Sequence, residues 1–233
     1  MKLLTKGLLD QYLQDDLISK LMDEHFTDED EDLKCQIWLR ESAPKRLVFN
    51  LLYGDLLSTE SERLKVLDVG EGLSGFTKFL SKKHDYFLVD FQAHNNDGEL
   101  KRILKNSNRD FIYPMDWIDL KEDNYDIIIA NDIFPNVDQR LDIFLKKFLP
   151  RCKLMSLSLT WYNFEKYFQV RRTIGDEIFT ILSWDQSQTM RVIKKYKDRV
   201  IDYSSEKFNI SKSSLYPNGR SVGIIEFKGG NPN

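Results

Sequence analysis

The fold is decided by residues 66–75, where a strand-like run leads into a glycine-rich turn. The stretch is Val66-Leu67-Asp68-Val69-Gly70-Glu71-Gly72-Leu73-Ser74-Gly75. Glycine permits positive φ and lets the backbone approach a ligand closely, and the N-terminus of the helix predicted directly afterwards, over 76–83, offers unpaired N–H groups. We therefore predict a strand–turn–helix unit at a ligand site. A tight turn that binds nothing is the alternative.

Strand-length apolar runs alternate with helical stretches on both sides of this turn. We predict strands over 64–69, 86–90, 111–113, 125–130 and 153–159, with helices over 76–83, 99–105 and 138–149. Such alternation is typical of a doubly wound α/β fold with a mostly parallel sheet. Further along, we predict a helix over 185–197 and a late strand over 221–227, for which 208–210 is a candidate partner across the turn at 217–219.

The first 62 residues are predicted to form an N-terminal helical extension or lid, and residues 63–233 the main domain. Leucines at positions 9, 13, 17 and 21 form an amphipathic stripe. We interpret the acidic run at 28–32 as a solvated loop, and expect a helix to start near Ser42 and Pro44. The polar residues 58–62 mark the boundary.

Composition excludes several classes of protein. The 233 residues carry a net charge of −3, and 41% are hydrophobic and 30% charged, as in ordinary globular domains. No apolar run approaches the ~18 residues of a membrane span, and nothing resembles a signal peptide. Nucleic-acid binders are usually basic, so nucleic acid is disfavoured as a partner, whereas a homo-oligomer stays open.

Cysteine and histidine usage points to a cytoplasmic protein without a metal. Cys35 and Cys152 lie far apart in the sequence and are expected to be free thiols. The three histidines, at positions 25, 84 and 94, lack the spacing of metal ligands.

Two carboxylates suggest what the turn binds. Asp68 ends the first strand of the glycine unit, where it would repel a pyrophosphate and attract a cation. Asp90 ends the next strand, 22 residues later, where a carboxylate can accept hydrogen bonds from both ribose hydroxyls. A ligand with a ribose, an ammonium group and no phosphate satisfies both. S-adenosylmethionine is such a ligand.

With these residues the sequence resembles the class I S-adenosylmethionine-dependent methyltransferases. The resemblance spans roughly 64–160 and rests on residues 68–75, 87–90, 115–117 and 125–132. It implies a Rossmann-like, seven-stranded sheet whose last strand is antiparallel, preceded here by the helical extension. It also implies that S-adenosyl-L-methionine is the cofactor.

The resemblance further implies a role for individual residues. Asp68, Gly70 and Gly72 would face the methionine moiety, with Gly75 in the same cofactor-binding turn. Asp90 would hold the ribose and Phe91 would lie against the adenine. The adenine amino group would bind Asp116, beside Trp117, and the sulfonium and substrate would face Asn131 and Asp132.

Each role has a simpler alternative in which the residue serves the fold. Asp116 could cap the loop before Ile118, Trp117 could belong to the core, and Asp90 could be a surface turn residue. Asn131 and Asp132 could cap the following helix.

The methyl acceptor is predicted to be a small molecule: a sugar, a sugar nucleotide or an amine metabolite. Residues 131–134, Asn-Asp-Ile-Phe, depart from the Asn-Pro-Pro-aromatic tetrad of enzymes that methylate nucleobase and glutamine amino groups. Candidate catalytic residues are Asp132, Asn131 and Tyr162, and no metal is expected. A lid would carry Trp38, Arg40 and Glu41. The alternatives are an RNA or protein methyltransferase, a non-catalytic cofactor-binding subunit and an NAD-dependent dehydrogenase.

Overall fold

A seven-stranded sheet organises the structure, a computed structural model that describes residues 1–58, 62–91, 98, 100, 110–171, 178–203, 214–216 and 218–230. Its strand order is β1-β9-β6-β5-β2-β3-β4. The strands are β1 (Lys2–Leu3), β2 (Lys65–Val69), β3 (Asp85–Val89), β4 (Ile112–Tyr113), β5 (Tyr125–Phe134), β6 (Cys152–Trp161) and β9 (Ser221–Lys228).

Five neighbouring strands, from β4 to β6, run parallel, and β9 is antiparallel to both β6 and β1. The predicted mostly parallel sheet with an antiparallel last strand is confirmed. The sheet also gains an edge strand from residues 2–3, in a region that we predicted to be helical.

Helices pack on both faces of the sheet. They are α1 (Lys6–Tyr12), α2 (Leu17–His25), α3 (Asp28–Glu31), α4 (Lys34–Glu41), α5 (Ala43–Leu57), α6 (Gly75–Lys83), α7 (Leu141–Phe148) and α8 (Gln186–Lys194). One hydrophobic cluster joins α7 and α8 to the sheet. The other contains α2, α5 and α6. Because α5 shares this core with the strands, the N-terminal helices form part of one helical layer; the division of the chain at residue 62 stays a prediction.

The N-terminal region is more broken than its leucine stripe predicts. Asp16 ends the first helical segment and caps α2, where its carboxylate accepts from the Ser19 amide at 3.0 Å. Leu13 and Leu17 are 45% and 39% exposed, so the predicted continuous apolar face is wrong. The predicted start of α5 is confirmed, since the Ser42 side chain caps it and Pro44 lies in its first turn.

The acidic run at 28–32 is not the solvated loop that we predicted. It forms the short helix α3, in which Asp30 accepts from the Thr27 amide at 3.1 Å. Asp30 is buried and ion-paired with Lys78 of α6. The run therefore docks the N-terminal region onto the helix that follows the glycine turn.

Several boundaries differ in the second half of the chain. β5 continues four residues beyond the predicted end, through an irregularity between Ala130 and Phe134. α7 begins at Leu141 instead of residue 138, because the Asp138 carboxylate accepts from the Arg140 amide at 2.8 Å in a turn before the helix. Pro150 lies inside a final 3₁₀ turn.

A hairpin that we did not predict follows β6. It consists of β7 (Lys166–Arg171) and β8 (Ile178–Ser183), which pair antiparallel. The predicted helix at 99–105 falls almost wholly, and the predicted strand at 208–210 entirely, outside the described residues. No helix in the described ranges is long and apolar enough to cross a membrane. The same ranges hold no cluster of three or more metal-ligand side chains.

Candidate cofactor and substrate site

A cavity of about 710 Å³ opens at the carboxyl ends of β2, β3 and β5. This volume is typical of small-molecule sites, and the position is where open α/β sheets bind ligands. Seven of the predicted site residues line it: Gly70, Gly72, Asp90, Phe91, Trp117, Asn131 and Asp132. Four do not: Asp68, Gly75, Asp116 and Tyr162.

The glycine turn forms the floor of the cavity next to β2. Gly70 and Gly72 have φ of +83° and +76°, a region that side chains rarely adopt. A Cβ on Gly70 would lie 2.1 Å from Ile133 Cδ1, and one on Gly72 would lie 2.4 Å from Cys35 Sγ. These two glycines are therefore required by conformation and by the close packing of β5 and α4 onto the turn.

Gly72→Ala is expected to destabilise the protein by about 2 kcal/mol or more, since a left-handed alanine is strained and its methyl group meets the Cys35 thiol. Urea denaturation measures the loss. In the double variant with Cys35→Ala the clash is gone while the strain remains, so the two substitutions should couple favourably. Strictly additive losses would contradict the packing of α4 on this turn.

The third glycine serves a different purpose. The Gly75 amide donates to the buried Gln36 Oε1 at 3.2 Å, and a Cβ at Gly75 would lie 2.9 Å from the ring of Phe26. The Ser74 side chain caps the N-terminus of α6 by accepting from the Thr77 amide. The N-terminus of α6 is thus covered by the preceding helices instead of being open to a ligand.

Asp68 lies beneath the floor of the cavity. Its side chain is fully buried, and one oxygen accepts from the Tyr86 hydroxyl. Burial raises the pKa of Asp68 to about 7, although hydrogen bonds with the Tyr86 and Tyr53 hydroxyls act in the opposite direction. Its predicted contact with the methionine moiety stays a prediction.

Glu71 is the carboxylate that lines the cavity at this end. It is half-buried, and its Oε2 accepts from Asn131 Nδ2 at 2.7 Å and from the Tyr53 hydroxyl at 3.4 Å. Burial, followed by the neighbouring Asp68 carboxyl, raises the pKa of Glu71 well above its ordinary value. Glu71 was not among the site residues predicted from the sequence, although it lies between Gly70 and Gly72 of the turn.

A chain of hydrogen bonds holds Glu71 in place. The Asp132 amide donates to Ser158 Oγ at 2.7 Å, and the Ser158 hydroxyl donates to Asn131 Oδ1 at 2.8 Å. The Asn131 amide group then donates to Glu71. Asn131 lines the cavity as predicted, and its side chain links β5 and β6 to the glycine turn.

Another part of the cavity lining, around Asp90 at the end of β3, is mostly apolar. Asp90 is half-buried there and Phe91 is 67% exposed. Met115 and Val137 are further exposed apolar residues of the lining, 37% and 47% accessible. Exposed apolar side chains around a cavity suit a flat aromatic ligand.

Arg140 organises the neighbouring wall. It binds the Asp116 carboxylate at 2.9 and 3.1 Å and the Asp138 carboxylate at 2.7 Å. Its guanidinium lies 4.6 Å from the centroid of the Trp117 ring, whose Nε1 donates to Asp138 at 2.8 Å. Asp116 also caps the Ile118 amide at 3.0 Å. Asp116 thus makes the capping contact that was the alternative to binding adenine, and its adenine role stays a prediction.

Asp132 is held by a buried arginine. Arg220 Nη1 lies 2.7 and 2.9 Å from its two carboxylate oxygens, and Arg220 is 7% exposed. Asn136 and Thr160 also donate to Asp132 Oδ1, at 3.0 and 3.3 Å. Asp132 itself has φ of +56°. The carboxylate therefore lines the cavity in a fixed orientation, with one lone pair of Oδ2 left for a further donor.

Tyr162 is buried outside the cavity lining. Its hydroxyl accepts from Asn218 Nδ2 at 3.4 Å, and its ring contacts Phe168 of the hairpin. Burial raises the pKa of Tyr162 above its ordinary value, so the hydroxyl stays protonated near neutral pH. Its predicted catalytic role stays a prediction.

Helices α4 and α5 supply the wall above the glycine turn. Trp38 lines the cavity as expected of the lid, together with Lys34 and Lys45. Lys45 Nζ lies 4.5 Å from the centroid of the Trp38 ring. Arg40 does not line it, because it pairs with Asp23 and Glu31.

Comparisons with solved structures found chains of similar fold. DhpI in complex with S-adenosylhomocysteine matches with a TM-score of 0.51 at 16% identity, over 97% of this chain and 99% of that one. Magnesium protoporphyrin IX methyltransferase (ChlM) from Synechocystis PCC 6803, with bound S-adenosylmethionine, matches with a TM-score of 0.46 at 11% identity, over 95% of each chain. No protein-family model and no curated protein matches the sequence.

The chain has the fold of the class I S-adenosylmethionine-dependent methyltransferases, so the predicted resemblance is confirmed at the level of the fold. The match to DhpI extends over nearly the full length of both chains. It therefore includes the N-terminal helices as well as the sheet.

Proposed function

We propose that this protein is an S-adenosylmethionine-dependent methyltransferase that acts on a small molecule. The observation that carries the proposal is one cavity of about 710 Å³ whose lining includes Glu71 of the glycine turn and Asp90 at the end of β3. Both carboxylates come from the carboxyl ends of neighbouring parallel strands. This arrangement matches a ligand that has an ammonium group at one end and an adenosine at the other.

The chemistry of the lining fits the two ends of this cofactor. Glu71 would bind the ammonium group, because a carboxylate shielded from water and already oriented by Asn131 attracts a cation strongly. Asp90 would accept from the ribose hydroxyls, and Phe91 and Met115 would contact the adenine. In this proposal Asp68 acts on the site only through its charge beneath the floor.

The same residues argue against a dinucleotide. A pyrophosphate would need the open N-terminus of α6, but Gln36 takes the Gly75 amide. Glu71 and Asp68 place two carboxyl groups at the turn where the phosphates would lie. These contacts argue against the alternative function, a nicotinamide-dependent dehydrogenase.

In the proposed mechanism the protein acts mainly by positioning the cofactor and the methyl acceptor. When bound, S-adenosylmethionine would supply a methyl group on its sulfonium sulfur: the acceptor's lone pair would attack the methyl carbon in line, the C–S bond would break and S-adenosylhomocysteine would leave. Asn131 and Glu71 would hold the glycine turn in place, and α4 and α5 would position the ligand from one side. Asp132, whose orientation Arg220 fixes, is placed to accept a hydrogen bond from the acceptor's N–H or O–H and thereby to align its lone pair.

A small acceptor is favoured because the cavity, which α4 and α5 line on one side, has a volume suited to a small molecule. The proposal keeps the predicted acceptor classes, a sugar, a sugar nucleotide or an amine metabolite. Cys35 and Cys152 are free and buried, which fits the cytoplasmic location that we propose.

Calorimetric titration tests the cofactor assignment. S-adenosylhomocysteine should bind with one site per chain and raise the Tm, because a ligand that binds only the folded state stabilises it. NADH should do neither. Binding of NADH in preference to S-adenosylhomocysteine would refute the proposed function.

Asp90→Ala should weaken binding of S-adenosylhomocysteine by about 1–3 kcal/mol, because the ribose hydroxyls lose their acceptor. Binding of 5′-methylthioadenosine, which keeps the ribose but lacks the amino-acid group, should weaken equally. Glu226→Ala on β9, an exposed position away from the cavity, is the control and should bind both ligands normally. Unchanged affinity of Asp90→Ala would remove the ribose assignment.

A further inference from the structure

The wall formed by α4 and α5 carries two positively charged side chains. Lys34 and Lys45 both line the cavity and are half-buried. Neither forms an ion pair within the described part of the chain. By contrast, Arg140 is paired with Asp116 and Asp138, and Asp132 is paired with Arg220.

Local geometry keeps these two lysines at the cavity. Lys34 and Trp38 are four residues apart on α4 and so lie on one face of the helix. Lys45, in the first turn of α5, lies over the Trp38 ring at 4.5 Å, and a cation over an indole is held there by the ring quadrupole.

Charge balance indicates what this wall binds. Among the carboxylates that line the cavity, the charge of Glu71 acts on Lys45, and the proposed function assigns Glu71 to the cofactor's ammonium group and Asp90 to the ribose. The cofactor's carboxylate offsets only one of the two lysine charges. The other lysine is then left without a counter-ion on this wall, and a half-buried charge that is not neutralised is costly.

We infer that Lys34, Trp38 and Lys45 form an anion site, and that the methyl acceptor carries a carboxylate or phosphate group that binds there. The inference rests on the proposed function and narrows it to anionic acceptors. Among the predicted classes, a sugar nucleotide fits and a neutral sugar does not.

Inorganic phosphate is the probe. With the protein saturated in S-adenosylhomocysteine and ionic strength held constant with chloride, phosphate should raise the Tm of the wild type. Lys34→Met and Lys45→Met should each need about tenfold more phosphate for the same shift, since each removes one charge-assisted contact. Lys82→Met, an exposed lysine of α6 outside the cavity lining, loses the same charge and should behave as wild type.

The affinities for S-adenosylhomocysteine and 5′-methylthioadenosine, measured on the same variants, identify the source of the anion. If both ligands bind the variants normally and the phosphate effect is weakened, the acceptor assignment stands. If S-adenosylhomocysteine binding falls about tenfold while 5′-methylthioadenosine binding is unchanged, the cofactor's own carboxylate occupies the site and the inference is wrong.

Two further results would overturn the inference. One is a phosphate shift that is absent from the wild type or equal in all variants, including Lys82→Met. The other is failure of the wild type to bind S-adenosylhomocysteine, which refutes the proposed function itself and this inference with it. Normal binding of 5′-methylthioadenosine by Lys34→Met and Lys45→Met shows that they are folded.

Discussion

Glu71→Gln is expected to weaken binding of S-adenosylhomocysteine about 10- to 100-fold, the effect of removing a charged partner from a buried ammonium group. Glutamine keeps the shape of the side chain and an oxygen that can accept from Asn131. The loss of affinity therefore measures the effect of the Glu71 charge and not a structural collapse of the glycine turn. Titration calorimetry on the purified variant measures it.

Two controls isolate the amino-acid end of the cofactor. Glu71→Gln should bind 5′-methylthioadenosine like the wild type, because that ligand has no ammonium group. Asp68→Asn should change S-adenosylhomocysteine affinity by at most about threefold, since its carboxyl group lies outside the cavity lining and makes no direct contact with the ligand in the proposed arrangement. A larger loss in Asp68→Asn than in Glu71→Gln would return the ammonium site to Asp68.

The raised pKa of Asp68 predicts how stability depends on pH. A carboxyl group whose folded pKa is about 7 binds more protons in the folded state than in the unfolded state between about pH 4 and 7. Stability is therefore lost as the pH rises through this range. In Asp68→Asn that decline should be reduced, as followed by urea denaturation at several pH values. An unchanged pH profile would contradict the burial of an ionisable Asp68.

Arg220→Met is expected to destabilise the protein by about 3 kcal/mol, because it leaves the Asp132 carboxylate without its buried counter-ion. The carboxylate keeps its contacts with Asn136 and Thr160 and some access to the cavity. The loss of stability should therefore fall near the lower end of the range that is typical when a buried ion pair is broken. Urea denaturation gives the free energy of unfolding. The variant should also bind acceptor poorly, since Asp132 is no longer held in orientation.

A double-mutant cycle separates the ion pair from other effects. Asp132→Asn is a suitable partner substitution, since asparagine tolerates the left-handed backbone at this position. The double variant Arg220→Met/Asp132→Asn should be less destabilised than the two single losses added together. Additive losses would mean that the two side chains do not interact across the strands.

The sheet was predictable because buried parallel strands leave apolar runs and the turn needs its glycines. The edge strand at residues 2–3 was not, since two residues carry no periodic pattern and it forms only by pairing with β9. The acidic run at 28–32 was misassigned for a related reason. Lys78, the ion-pair partner of its buried Asp30, lies 48 residues away.

The candidate site was predicted where its residues follow strands and missed where it depends on distant contacts. Asp90, Asn131 and Asp132 lie at strand ends and line the cavity. Arg220 is 88 residues from Asp132, and no local pattern links them. Glu71 could have been found, because the argument that a carboxylate at the turn repels phosphate applies to it as much as to Asp68.

The central claim is that Glu71 and Asp90 bind opposite ends of one S-adenosylmethionine-type ligand. A crystal structure of the complex with S-adenosylhomocysteine tests it most directly. The ribose hydroxyls should lie within about 3 Å of the Asp90 carboxylate, and the ammonium group within about 3 Å of Glu71. A ligand bound away from both carboxylates, or a reversed one with its adenine over the glycine turn, would contradict it.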